Sequence, residues 1–353
     1  MLSKLLSKKG RNVVGLDIGT SSIKLVKLEK KATGYALKNL AIKELPPEAI
    51  VEEEIRDRET VLFTAQGLID QTDPKMQEVA IALAGHGVIT DKITIDKKTG
   101  AEAEQAILFE AEQRAPFDVD DVVMDSHIIK VNEETNKMDV LLVAVRNDFL
   151  KNYLDLILDL GLKTAVVDID SLAVLNAYEV NYEIDPNRIT ALINVGFDVT
   201  NLVFIKDGVY HSTRDISSGT RSIYEAIQKE FRLTQEMASK AMKGELNEAL
   251  DLDMFKASLV SSAEELVSGL EVAFSYFKTS ARVPQVDWIV MSGGGALVPY
   301  LPEFLQSKLG ISVEIANPLR NIEYDPDIFQ DVQPEKIAPL LAVAVGLAVR
   351  KVK

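Results

Sequence analysis

Three short segments carry the side chains best suited to handling phosphate. GLDIGTSSIKLVKL, from Gly15, sets Asp17 two residues before Gly19, continues with Thr20, Ser21 and Ser22, and places Lys24 on the return run. LINVGFDVTNLVFI, from Leu192, repeats the arrangement with Asn194, Gly196 and Thr200. SGGGALVPYL, from Ser292, sets Gly293, Gly294, Gly295 and Ala296 between an apolar run and a helical pattern. Glycine in such turns lets backbone approach a ligand closely, and the turn N–H groups can point at phosphate oxygens. Asp17 and Asn194 are suited to hold a cation-bound water. Ser22, Lys24 and Val26 share one strand face, which aims the Lys24 ammonium where the turn points. The competing reading of each segment by itself is an ordinary hairpin or a tight strand-to-helix turn. Asp168 and Asp170 end an apolar run and open a helical one, so orienting a water and capping a helix are both open to them. His86, His127 and His211 stand far apart, in no metal-ligand spacing.

Periodicity assigns the elements that hold these residues. Residues 12–28 read as two short strands around a small turn, and residues 32–58 as a further strand with an acidic, Pro-containing loop in which Glu52–Glu54 is a solvated charge run. Glu59–Gln71 has helical spacing, the run from Val79 is a buried strand, and AEAEQAILFEAEQRAP is a helix stopped by Pro116. VVMDSHIIKV and MDVLLVAVR pair around NEETNK, and NDFLKNYLDLILDLGL is an amphipathic helix ended by Gly161. A strand then leads into a helix through VDIDSLAVLNAYE, three short strands span residues 189–216, and residues 222–277 are nearly all helical in pattern. After the triple-glycine segment, a helix and a strand near Ile311–Ala316 follow. The run Ile337–Val349 is too short to span a bilayer and reads as a buried helix whose Ala and Gly spacing permits close backbone approach. The acidic residues Asp118–Asp121 read as a solvated loop.

Composition excludes several function classes. The 353 residues give about two domains. Lys plus Arg number 39 and Asp plus Glu 54, a net charge of −15. Such a chain lacks the cationic surface that releases counterions from nucleic acid, so no nucleic-acid partner is expected. Cysteine is absent, which removes disulfides, thiolate zinc sites, iron–sulfur clusters and cysteine nucleophiles. The start, with Lys4, Lys8, Lys9 and Arg11, lacks the apolar stretch of a secretory signal and reads as a solvated basic tail.

In order and spacing, the three segments resemble the two phosphate loops and the adenosine loop of the superfamily of actin, sugar kinases and seventy-kilodalton heat-shock ATPases. Within it the chain resembles the PilM family of type IV pilus assembly, and is similar to FtsA-type division proteins. That likeness rests on VVGLDIGTSSIKLVKL, VAIALAGHGVITDKI, EAEQRAPFDVDDVVMD, VDIDSLAVLNAYE and TRDISSGTRSIYEAIQKEF, which together span nearly the whole chain. The resemblance implies an α/β, actin-like (ribonuclease H-like) two-lobed fold with an inserted small α/β subdomain of the FtsA/PilM type. Its expected parts are 1–78 and 164–188 in the first lobe, 79–163 as the insert, 189–335 as the second lobe, and 336–353 as a helix returning to the first.

By resemblance the chain is a cytoplasmic scaffold binding ATP with Mg²⁺. It would receive the N-terminal tail of PilN, reach PilO and PilP indirectly and pilus motor components as further partners, and be recruited to the inner face of the inner membrane. The implied contacts are Asp17, Gly19, Thr20, Ser21, Ser22, Lys24, Asn194, Gly196, Thr200, Gly219, Thr220, Lys240, Lys243 and Gly293–Ala296, with Asp17 and Asn194 holding the metal through water. Two departures bear on turnover. Asn194 stands where many relatives have Asp, so at most slow hydrolysis is expected. The segment Met237–Lys243 lacks the Ala-Glu pair before lysine, which leaves the adenosine contact to Lys240 or Lys243. The rival readings are a small-molecule kinase using Asp168 or Asp170 as base, and an FtsA-like filament protein, against which the lack of a clear terminal amphipathic helix counts.

Overall fold

The computed structural model of the chain describes residues 11–114, 119–245, 250–329 and 332–352; Lys4, Lys8, Lys9, Pro116 and Asp118 lie outside the described residues. Two sheets organise it. In the first, Val14–Ile18, Ser22–Lys30 and Tyr35–Glu44 form an antiparallel meander. Glu78–Leu83 joins parallel to Val14–Ile18, Lys163–Ile169 joins parallel to that, and Ile322–Glu323 closes the far edge. In the second, Thr190–Val195, Thr200–Lys206 and Val209–Ile216 form the meander, and Trp288–Ser292 and Ser312–Ile315 follow in parallel on the open side. The first five strands of each sheet therefore stand in one order, a duplicated topology. The central strands are buried on both faces, which is why they read as near-continuous apolar runs.

Helices cover the faces by burying apolar stripes. Val61, Ala65, Leu68 and Ile69 of helix Arg58–Thr72, capped by Asp57, and Phe149, Tyr153, Leu156 and Ile157 of helix Asn147–Asp159 pack on the first sheet. Helix Glu264–Ala281 sets Phe274 and Phe277 against Phe204 of the second. The long apolar run near the C-terminus differs from a single helix. Ala338–Leu341 is a tight 3₁₀ turn containing Pro339, and the α-helix is confined to Ala342–Ala348, buried throughout. The Pro339 carbonyl accepts from Gly293 N–H at 2.9 Å, so the break brings the run against the triple-glycine segment.

Between Glu78–Leu83 and Lys163–Ile169 the chain leaves to build a separate three-stranded antiparallel sheet, ordered Val88–Asp96, Lys137–Arg146, Val122–Asn132. Helix Ala101–Arg114 covers it through Ala103, Ile107 and Ala111. Because Glu78–Leu83 belongs to the first sheet and helix Asn147–Asp159 packs on it, this small unit spans 88–146, narrower than the expected 79–163. No helix among the described residues is long and apolar enough to cross a membrane.

Candidate functional site

The hairpin registers set the site. Asp17 pairs with Lys24 across the first hairpin, so their side chains share a face, and Lys24 Nζ stands 3.1 Å from Asp17 Oδ2 with both groups largely buried. Gly19 N–H donates to Ser22 C=O at 3.2 Å and closes the turn. In the second hairpin Asn194 pairs with Asn201, and Gly196 N–H donates to Val199 C=O at 3.0 Å. The two turns face each other across a narrow cavity of about 70 Å³, lined also by Thr20, Ser21, Ser22, Glu53, Asp170, Thr220, Gly293 and Gly294. Gly293 adopts φ +83° with Val195 O only 2.4 Å from where a Cβ would lie, so no other residue fits this turn comfortably.

A wider cavity of about 370 Å³ adjoins it and shares Ser21, Ser22, Phe197, Thr220, Gly294 and Leu340. Apolar Leu45, Pro46, Tyr224, Met242 and Val298 add to its walls. One end is therefore polar with a single lysine among its described lining residues, and the other is apolar and aromatic. That suits a ligand with a phosphate tail and a flat apolar head.

Several expected residues lie elsewhere. Thr200 is fully buried and its hydroxyl donates to Ser218 C=O at 2.8 Å, a turn-closing role away from the cavity. Gly219 packs on backbone, with Phe197 O 2.5 Å from a would-be Cβ, while Gly295 and Ala296 are buried behind the loop. Lys243 reaches the wide cavity but is ion-paired with Glu44, and Lys240, which does not line it, pairs at 2.7 Å with Glu236, which does. Asp168 points away from the cavity into an ion pair with Arg350 at 3.3 Å; burial raises its carboxyl pKa, opposed by that arginine. Its neighbour Asp170 does line the cavity.

Asn194 belongs to a relay. Ser292 Oγ donates to Asn194 Oδ1 at 3.1 Å, Asn194 Nδ2 to Asn201 Oδ1 at 3.0 Å, and Asn201 Nδ2 to Asp215 Oδ1 at 3.0 Å. Asp215 Oδ2 accepts from Gly85 N–H of the first lobe at 3.1 Å. A neutral amide at 194 both accepts and donates here, whereas a carboxylate would face Asn201 Oδ1 with no proton to offer.

Glu53 overturns the expectation of a solvated acidic run. It is 9% exposed and lines the narrow cavity. Burial, reinforced by Asp198, Asp17 and Asp215, pushes its carboxyl pKa up to about 8. Burial with Asp17 and Glu53 also raises the Asp170 carboxyl well above its ordinary value. Sequence patterning gave no sign of Glu53, because three consecutive glutamates in a loop look like water-facing charge.

A pH dependence follows for the metal-free protein. Between its ordinary value of 4.5 and about 8, Glu53 holds a proton in the folded chain that the unfolded chain releases, so stability falls as pH rises through that window. In EDTA the denaturation midpoint should drop from pH 5 to pH 9, the Glu53 share being on the order of a few kcal/mol. Glu53→Gln should match the parent at pH 5 and exceed it at pH 9; parallel curves would refute the assignment.

Two lobes of duplicated topology, closing hairpin turns and a glycine loop on one cleft, define an actin-like fold. A solved structure of ethanolamine utilization protein EutJ from Carboxydothermus hydrogenoformans is similar at that level, with 13% identity, 99% of this chain and 95% of that chain covered, and a TM-score of 0.53. The chain belongs to the PilM family: the family model described as type IV pilus assembly protein PilM matches residues 15–352. A solved PilM–PilN type IV pilus biogenesis complex is similar to it, with 25% identity, 98% of this chain and 100% of that chain covered, and a TM-score of 0.85.

Proposed function

We propose that this type IV pilus assembly protein is an ATP-binding scaffold that receives the N-terminal tail of PilN. The observation that carries the nucleotide half is the cleft itself, where backbone turns and Lys24 meet at one end and an apolar wall at the other. The residues present fit such a group: Asp17 offers a hard oxygen to Mg²⁺ or its bound water, and the Gly19 and Gly293 turns leave room for phosphate. Asn194 Oδ1, already accepting from Ser292, keeps one lone pair for a cation-bound water. When bound, the nucleotide supplies charge and contacts to both lobes. Binding free energy rather than turnover would do the coupling, because Asn194 lacks the negative charge that helps hold Mg²⁺ and activate water.

PilN is proposed from the partner in the similar complex. A cavity of about 670 Å³ between the small sheet and the second lobe offers room for an extended tail. Val88–Lys92, on the edge strand of the small sheet, lines it; Lys137–Arg146 pairs one side of this backbone and no described strand pairs the other. The division into two lobes, insert and returning C-terminal helix, a cytoplasmic location with recruitment to the inner membrane through PilN, and indirect linkage to PilO, PilP and the motor complete the reading. Calorimetry with Mg-ATP and a peptide of PilN's first dozen residues tests it, with phosphate release followed in parallel. Peptide affinity that changes severalfold or more with nucleotide, with little release, is expected. Acceptor-dependent ADP formation would instead favour a kinase, and absence of peptide binding would refute the scaffold.

A further inference from the structure

We propose that a row of hydrogen bonds across the second sheet, ending on Asp215, transmits occupancy of the narrow cavity to the large one and so makes tail binding depend on nucleotide; the inference rests on the nucleotide and PilN reading above. Ser292, Asn194, Asn201 and Asp215 lie side by side on four neighbouring strands, each directly opposite the next in register. Ser292, Asn194 and Asn201 are buried. Polar groups inside a sheet cost stability unless they are paired. Here each side chain bonds the next, at 3.0–3.1 Å. The donors all point one way, from Ser292 toward Asp215, because an ionised carboxylate only accepts.

The two ends of the row open on different cavities. Asn194 and Asn201 line the narrow one with Asp17 and Lys24, and Asp215 lines the large one. Asp215 also reaches the other lobe, where its Oδ2 accepts from Gly85 N–H at 3.1 Å. Gly85 follows strand Glu78–Leu83 at φ +78°, and a Cβ on it would lie 2.9 Å from Glu53 Cγ and 3.5 Å from Val199 Cγ2, both residues of the narrow cavity. Just beyond it the chain enters Val88–Lys92, which lines the large cavity together with Tyr210–Asp215; each segment belongs to the edge strand of its sheet. A shift of Gly85 against Asp215 therefore changes the spacing of these two edges. A ligand that engages Asn194 or Asn201 biases the same bond from the other end of the row. The Asp215–Gly85 bond, kept or released, is the two-state element that both ligands bias, and shared bias is what couples two sites.

The test titrates a peptide of PilN's first dozen residues by calorimetry, with and without Mg-ATP, for the parent chain, Asp215→Ala and Asp215→Asn. Alanine removes both acceptors. Asparagine keeps an oxygen for Gly85 N–H and offers a donor to Asn201, and the amides of the row can turn over to match, so the row survives without the charge. The change in peptide affinity on adding Mg-ATP, about fivefold or more in the parent, should shrink to within about twofold of none in Asp215→Ala and persist in Asp215→Asn. Nucleotide affinity measured with and without peptide should show the same factors, because coupling is reciprocal. In the parent, Mg-ATP alone should slow hydrogen exchange of residues 84–92, read by mass spectrometry, a result that does not depend on any variant folding. Coupling retained in Asp215→Ala, or exchange untouched by nucleotide, overturns the proposal. Coupling lost in both variants assigns it to the charge rather than the row, and loss of all peptide binding in Asp215→Ala makes Asp215 a peptide contact; either result also overturns it. If the parent's own peptide affinity ignores nucleotide, or the parent binds neither ligand, the scaffold reading itself falls, an outcome distinct from any result with the variants.

Discussion

Lys24→Ala should weaken Mg-ATP binding by about a hundredfold or more while leaving the far-ultraviolet circular dichroism intact. Lys24 is the sole cation among the described residues around the narrow end of the cleft, directly across the hairpin from Asp17. Its ammonium, 3.1 Å from Asp17 Oδ2, is positioned to serve two anions, the aspartate and an incoming phosphate. Truncating one partner of a desolvated charge pair costs about 2–5 kcal/mol, much of it from the charge left behind. Here the charge left behind is Asp17, in a lining that holds no other described cation. Some loss of stability should accompany the loss of affinity, because Asp17 is left buried without its counter-charge. Affinity within threefold of the parent would show that the first hairpin is not a phosphate site.

How far the site is readable in advance depends on how local its determinants are. Asp17, Gly19 and Lys24 form one hairpin, so alternation and a glycine turn are enough to place them together. The same reasoning applied to Thr200 misplaces it, because that residue pairs with Val195 at the hairpin's closing position and its hydroxyl turns to Ser218. Asp168 and Asp170 would share a face on a continuous strand, but the strand ends at Ile169 and a helix begins at Asp170. A strand passing into a helix sends Asp168 to Arg350, close to the C-terminus, and Asp170 to the cleft, and nothing near them in sequence distinguishes the two. Glu53 was hidden for a different reason: its position is decided by Asp198, Arg221 and Tyr153, each about a hundred or more residues away in sequence. Strand Val88–Asp96 also went unassigned, since polar Asp91 and Lys92 interrupt its alternation at the point where the strand borders the large cavity. The duplication was suggested by the likeness of two hairpins, yet the shared strand order emerges from pairing registers that no local pattern encodes.

Gly346→Val should cost at least about 3 kcal/mol of stability, or abolish soluble expression, whereas Gly294→Ala should be tolerated. A Cβ on Gly346 would lie 1.7 Å from the Ala173 carbonyl oxygen and 2.4 Å from its carbon. Both are backbone atoms of helix Asp170–Asn181, so no side-chain rotation relieves the clash. On the other side of helix Ala342–Ala348, a Cβ on Gly15 would lie 2.1 Å from Ala344 O, which leaves the helix no direction in which to withdraw. At Gly294 the nearest atom to a would-be Cβ is Leu340 Cδ2 at 3.9 Å, ordinary contact. The glycine most conspicuous in sequence, inside the triple, thus has room to spare, while one lost in an Ala and Val run has none. The same helix couples stability to the site: it packs on Val14–Ile18, which carries Asp17, and on the helix that begins at Asp170, and its Val343 lines the narrow cavity. Urea denaturation of Gly346→Val beside Gly294→Ala separates the two cases. Equal midpoints would mean that the backbone of helix Asp170–Asn181 yields, and that the lobe is held by side chains rather than by this close approach.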